Sequence, residues 1–435
     1  MTGYEAPRLL APRLTDVLGR SVPDLELVRL RRRADGGGKL RLDPYQSAYA
    51  ALSTQLGRVR AGHSVAIGVG SRGIRGIDRV VAGIVTALRE RGARPFVVPA
   101  MGSHGGADAA GQEATLGRLG VDAGLGASIR ATMDTVPLGR AGDVSVRFDA
   151  LAAHADHILV VNRLKSHTSF SGHVESGLAK MLSIGLGKQS GAEELHRLGP
   201  GRIEDRIVTA ARFICDSLPV LGGIALVEGA GKNLVAVEFV PAGDIGGRRE
   251  AELLVLAKSN EARLPFARAD VLVVDVMGKE FSGTGMDTNV LGRRMVRSMP
   301  ELTTPSITNV VCLEISEKSS GNAVGVGLAD FVPRRLLEGF DPTATYANTL
   351  TAGSQAVQRA QIPIVLADDV DAVSAAVLTC DVADLDQVRL ARIRNTLQLD
   401  ELLVTEALVP EVQQRGYDVA GRAPLRGDAG RLAIW

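Results

Sequence analysis

The chain is predicted to be an α/β protein, built as two α/β domains with largely parallel sheets facing a central cleft. Three observations lead there. Short β-branched runs alternate with amphipathic helical segments. The runs are apolar throughout rather than alternating, as strands covered on both faces require. Glycine supplies 50 of the 435 residues, about 11% against a usual level of roughly 7%, and much of it falls in loops that follow those runs.

The units share one grammar of strand, glycine-rich loop and helix. Ser64–Val69 (SVAIGV) leads into Gly70-Ser-Arg-Gly-Ile-Arg-Gly and then the helical pattern Ile77–Arg91. Arg94–Pro99 (RPFVVP) leads into Met101-Gly-Ser-His-Gly-Gly and then Ala107–Leu119. His157–Val161 leads into Asn162-Arg-Leu-Lys-Ser-His, and Asp270–Asp275 into Met277-Gly-Lys-Glu-Phe-Ser-Gly-Thr-Gly. Sheets of this kind bind ligands outside the carboxyl ends of their strands, where these loops lie.

Residues 1–60 hold the strand-like LELVRLRRR, the Asp35-Gly-Gly-Gly turn and KLRLD. They predict a hairpin, with Arg29–Arg33 on a solvated edge strand. A boundary near Leu264-Pro265 follows the helical Arg248–Asn260. It divides the chain into an N-terminal domain, 1–265, and a smaller C-terminal domain, 266–435. The smaller one carries Thr308–Ile315, Ile362–Ala367 and a helical Leu385–Leu408, and its last stretch, GRAPLRGDAGRLAIW, reads as an irregular tail.

Composition narrows the function. Fifty basic against forty-nine acidic side chains leave a net charge of +1, which gives no reason to expect a nucleic-acid or membrane-surface partner. Cys215, Cys312 and Cys380 lie far apart without C-x-x-C spacing, so neither a zinc motif nor a disulfide framework is expected. No uninterrupted apolar run reaches the ~18 residues of a membrane helix, and the N-terminus lacks a signal-like core. The cytoplasm is the expected location.

Histidine is scarce: seven in all, with His167, His173 and His196 inside one thirty-residue stretch. Neutral imidazole is the commonest metal ligand and a frequent general base. The segment Asn162–Leu198 sets these histidines and Lys165, Lys180 and Lys188 among Ser, Gly, Ala and Thr. Small residues let backbone approach a bulky ligand, and lysines can neutralise phosphate or act as amine nucleophiles. On residue types alone, an ordinary helix over 174–186 with exposed lysines stays open.

This segment resembles the central motif of the nickel-pincer-nucleotide lactate racemase family: a histidine, a Gly/Ser-rich stretch, a lysine, and a second histidine sixteen residues after it. Here the histidine is His167, the lysine Lys180 and the second histidine His196. His104, in Gly102-Ser-His-Gly-Gly, matches the histidine of the family's Gly-x-His-Arg-Pro loop, and Arg72 the arginine of its Asp-x-x-Arg-Pro loop. The resemblance covers residues 60–200 well and 265–370 more loosely, where Asp287-Thr-Asn-Val is similar to a family Asp-x-Asn-Ile.

It implies a racemase or epimerase of a 2-hydroxy acid. It also implies a nickel-pincer nucleotide joined covalently through Lys180, and its nickel completed by His196. His104 and His167 would be the two opposed bases, and Arg72 the grip on the substrate carboxylate. Separate cofactor-synthesis enzymes would load the group. Departures from the family pattern are Val69-Gly70-Ser71 in place of its acidic residue and a His167–Lys180 interval about three residues longer. No C-terminal-domain tryptophan precedes Trp435, which leaves Tyr346 as the aromatic candidate. Arg293 and Arg294 stand near the place of its C-terminal lysine. Two other classes remain open: a phosphate- or nucleotide-binding enzyme using its Gly-rich loops as anion sites, and a non-catalytic metabolite- or metal-binding protein of the same fold.

Overall fold

The computed structural model describes residues 11–33, 42–71, 73–197, 199–229, 232–297 and 299–435. Two compact units form, Gly37–Glu261 and Met1–Gly36 with Ala262–Trp435. Both are mixed α/β units with large, mostly parallel sheets.

The Gly37–Glu261 unit is built on a six-stranded sheet. Its spatial order is Ser128–Ile129, Arg94–Pro99, Ser64–Val69, His157–Arg163, Val220–Glu228 and Leu234–Pro241, and only the last pairing is antiparallel. The strands are buried on both faces, which is why their sequences are continuous rather than alternating. The chain first moves outward from the Ser64 strand to the Arg94 strand, then restarts on the other flank with the His157 strand. A topological switch point therefore lies between the Ser64 and His157 strands, where open α/β sheets leave a crevice at their carboxyl ends.

The helix Ile77–Glu90 buries Ile77, Val80, Val81, Ile84, Val85 and Leu88, a stripe at 3.6-residue spacing. The helix Pro44–Ser53 packs on it. There Asp43 caps by accepting from the Gln46 N–H at 2.9 Å, and Pro44 opens the first turn. Gly83 makes this crossing possible, since a Cβ there would stand 2.4 Å from the Tyr45 carbonyl oxygen.

The second unit holds an eight-stranded sheet ordered Ile364–Leu366, Phe331–Pro333, Ser306–Ile315, Arg268–Met277, Leu390–Ile393, Glu401–Val404, Glu26–Arg32 and Tyr417–Pro424. Its first five strands are parallel and the rest antiparallel. Several expectations change here. The units meet at Glu261/Ala262, and the N-terminal strand belongs to the unit formed by the C-terminal half rather than to the N-terminal one. Glu26–Arg32 is no edge strand and no hairpin arm, because Glu401–Val404 and Tyr417–Pro424 occupy its two sides. Those neighbours neutralise Arg31 through Glu401 at 2.6 Å and, just past the strand, Arg33 through Asp418 at 2.8 Å, while Arg32 donates to the Tyr417 hydroxyl. The expected turn at Asp35 lies outside the described residues.

Leu385–Leu408 is not one helix; only its two ends form single 3-10 turns. It supplies the strands Leu390–Ile393 and Glu401–Val404, because pairing with the buried Arg268–Met277 strand overrides local propensity. The final stretch is no loose tail either. Its first residues extend the Tyr417–Pro424 strand, Leu425 and Leu432 are buried, and the Trp435 indole N–H donates to Asp275. Among the described residues, no helix is long and apolar enough to cross a membrane.

Candidate functional site

Two of the histidines singled out in the sequence lie on segments that follow the carboxyl ends of strands in the Gly37–Glu261 sheet. Ser71 leaves the Ser64 strand, His104 the Arg94 strand and His167 the His157 strand. Arg72 lies outside the described residues.

His104 sits on a loop that begins at Gly102, whose φ of 58° favours glycine. The Gly102 N–H donates to the Gly185 carbonyl at 3.0 Å, which ties this loop to the segment that follows Lys180. The buried Gln112 amide donates to the carbonyls of Gly102 at 2.9 Å and His104 at 3.1 Å. The imidazole Nδ1 meets the Ser71 hydroxyl at 2.5 Å.

His167 is held differently. Its backbone N–H donates to Glu175 Oε2 at 2.5 Å, and Glu175 also accepts from the Gly172 N–H at 3.0 Å. Glu175 is buried and its charge is met by Lys258 at 2.6 Å. The imidazole stacks on Phe170 with centroids 4.2 Å apart, and its Nδ1 accepts from the Ser169 N–H at 3.1 Å.

Lys180 closes a single α-turn, Leu178–Lys180, and is followed by a π-helical turn, Met181–Gly185. Such turns are rare and concentrate at functional sites. The start of the α-turn is fixed by Glu250, which is 1% exposed and accepts from the N–H groups of Leu178 at 2.6 Å and Ala179 at 3.2 Å. Burial pushes the Glu250 carboxyl pKa up, and these N–H groups and that of Gly246 pull it back. Only glycine fits at 177, where a Cβ would fall 2.2 Å from the Glu250 carboxylate.

The helix Lys188–His196 carries His196 at its end. Solvent still reaches this side chain, yet the atoms crowding it, and then the charge of Lys180, push its imidazole from 6.5 down to about 4. The sequence pair Lys180 and His196 is thus within electrostatic reach in the fold, and His196 is neutral at ordinary pH, the state that binds a metal. Replacing Lys180 by Met removes one of the two causes, so the His196 titration followed by NMR is expected to move upward from about 4. An unmoved titration would separate the two residues.

Lys188 departs from its expected role. Rather than facing a ligand it is 0% exposed, with φ of 54°, and its ammonium meets Asp149, also 0% exposed, at 3.1 Å. It donates to the Pro99 carbonyl at 2.5 Å and to Gln112 Oε1 at 3.1 Å. Burial pushes Lys188 down and Asp149 up, and the charge of each partner pulls the other back. One buried ion pair thereby joins the end of the Arg94 strand, the His104 loop and the start of the His196 helix.

The second-tier expectations fare unevenly. Glu193 and Glu194, in the turn before His196, are engaged by Gln189 at 2.9 Å and Arg197 at 3.2 Å. The Arg293 guanidinium is committed to Asp330 at 2.6 Å and to the carbonyls of Leu328, Ile307 and Thr308, and Arg294 donates to the Pro300 carbonyl at 2.6 Å. Tyr346 stands 52% exposed, edge-on to Phe340. A concavity of about 720 Å³ borders another stripe of the His196 helix, formed by Ser190, Glu193, Glu194 and Arg197, and none of the candidate residues lines it. Among the described residues, no group of three or more His, Cys, Asp or Glu side chains is arranged to hold a metal ion.

No family model and no curated protein matches the chain. Among solved structures, a Thermotoga maritima protein is 14% identical, with a TM-score of 0.44 over 74% of this chain and 84% of that one. The lactate racemase apoprotein from Thermoanaerobacterium thermosaccharolyticum is 12% identical, with a TM-score of 0.44 over 79% of this chain and 85% of that one. Likenesses this distant say nothing about activity.

Proposed function

We propose that the chain is a racemase or epimerase of a 2-hydroxy acid that works with a nickel-pincer nucleotide. The observation that carries this reading is the electrostatic coupling of Lys180 to His196, on a segment that the Gly102 N–H ties to the His104 loop. Lys180 would hold the nucleotide covalently, and His196, unprotonated at ordinary pH, would offer an imidazole to its nickel. When bound, the group supplies a hydride acceptor that a 2-hydroxy acid requires, because its C2 proton is too weakly acidic for a histidine to remove.

The protein's part is then position and proton control. His104, anchored through Gln112 and Ser71, would exchange the hydroxyl proton. The Ser71 hydroxyl can donate to Nδ1 or accept from it, so His104 keeps its partner in either protonation state. Arg72, next along the chain from Ser71, would bind the carboxylate as a planar fork.

The test is the loaded protein against a panel of chiral 2-hydroxy and sugar acids, with deuterium at C2. Inversion with the deuterium retained is expected. His104→Asn should lower the rate roughly 10²–10⁴-fold without reducing cofactor content. Inversion with the deuterium washed out would replace hydride transfer by proton abstraction, and no turnover of any acid would favour a binding protein.

A further inference from the structure

Three cationic side chains meet one carboxylate at the carboxyl end of the Gly37–Glu261 sheet, and their charges do not balance. Arg163 ends the His157–Arg163 strand, and Glu228 ends the parallel Val220–Glu228 strand beside it. The Arg163 guanidinium donates to Glu228 Oε2 at 2.6 Å, and both side chains are largely buried. Arg75 reaches the same place from the loop after the Ser64 strand. Its backbone N–H donates to Glu228 Oε1 at 3.4 Å and its guanidinium to Asn233 Oδ1 at 3.1 Å. Both oxygens of Glu228 are thereby engaged.

Lys232 lies in the turn between Glu228 and the last strand, where its backbone N–H donates to the Gly229 carbonyl at 2.9 Å. Its φ of 59° is uncommon for a residue with a side chain, and such settings cluster at ligand clamps. Burial, and then the charge of Arg163, pushes the partly buried ammonium down. Glu228 pulls it back only in part, and Lys165, which has partners of its own, adds to the same field. Arg75, Arg163 and Lys232 set against Glu228 leave two positive charges in excess.

An excess of like charge in a partly dry site is relieved by an anion of matching charge. A carboxylate brings one negative charge, whereas a phosphate monoester brings nearly two at neutral pH, with three strong acceptor oxygens. Three donors arriving from three segments suit such a group better than a planar carboxylate. The position also fits, because the strands that send Arg75 and Arg163 flank the switch point of the sheet. We propose that Arg75, Arg163 and Lys232 form a binding site for a phosphate monoester, with Glu228 as the carboxylate that holds the Arg163 side chain and the Arg75 backbone in place. The site does not depend on the reaction proposed above, and no catalytic step is assigned to it.

The experiment is calorimetric titration of the full chain, before cofactor loading and at about 0.15 M salt, where loose surface attraction is screened. The probes are inorganic phosphate, a 5′-mononucleotide, 3-phosphoglycerate and, as a monoanion, acetate. Phosphate should bind roughly tenfold or more tightly than acetate. Lys232→Gln and Arg163→Gln should each weaken phosphate roughly tenfold, as loss of one charge-assisted hydrogen bond does. Glu228→Gln removes the competing negative charge and should bind phosphate at least as tightly as wild type, which a merely damaged fold would not do. Absent phosphate binding, equal affinity for acetate, unchanged affinity in Lys232→Gln, or weaker binding in Glu228→Gln would overturn the proposal. Tighter binding of the mononucleotide than of phosphate would identify the ester as a nucleotide, tighter phosphoglycerate as a phosphorylated acid, and neither as free phosphate. Phosphate binding by a chain that turns over no hydroxy acid would leave the site standing and the proposed reaction refuted.

Discussion

Lys188→Met is expected to cost the Gly37–Glu261 unit about 3–5 kcal/mol, the usual penalty for leaving one member of a buried ion pair alone. Asp149 would lose its counter-charge in a site with 0% exposure, and the Pro99 carbonyl and Gln112 Oε1 would lose their donor. The backbone is not the cause, because Lys and Met are equally disfavoured at a φ of 54°. Adding Asp149→Asn should recover most of the loss. Asparagine removes the stranded charge yet still caps the short helix through the Ala152 N–H, which Asp149 now does at 2.8 Å. Hydrogen exchange of amides in Ser64–Val69 and Arg94–Pro99 reads the stability of this unit by itself. A loss below about 1 kcal/mol, or no recovery in the double variant, would remove the ion pair's structural role. Because Gln112 links Lys188 to the His104 carbonyl, the single variant should also loosen His104 and slow turnover.

The parallel core of each unit was legible because burial on both faces leaves an unmistakable mark. Ser64–Val69, Arg94–Pro99 and Arg248–Asn260 end where their apolar and turn residues say they should. Pairing partners far along the chain were not legible. Nothing local in LELVRLRRR announces Glu401 and Asp418 as its counter-ions, and nothing in Leu385–Leu408 announces the Arg268–Met277 strand beside it.

The candidate site divides in the same way. The resemblance pointed to Lys180 and His196 through their sixteen-residue interval, which a π-turn and one helix span. The supporting residues escaped notice because their roles depend on burial. Ser71, Gln112, Asp149, Glu175 and Glu250 look like ordinary polar residues until the fold removes water from around most of them. One signal was available. Lys188 lies in a run of small and apolar residues, LSIGLGK, with no nearby carboxylate, and a lysine so placed needs a distant acid.

Lys180→Ala is expected to abolish covalent cofactor attachment altogether, since no other nucleophile is proposed to make the bond. His196→Ala should retain the adduct and hold nickel poorly, because only the metal's last ligand is lost. Both variants should fold: Lys180 ends its turn rather than filling the core, and the turn is set by Glu250 and Gly177. The decisive measurement is the intact mass of the chain produced together with cofactor-synthesis enzymes. A wild-type mass one nucleotide adduct above the polypeptide, absent in Lys180→Ala, is the predicted result, and an adduct that survives Lys180→Ala, or a bare wild-type chain, would contradict it.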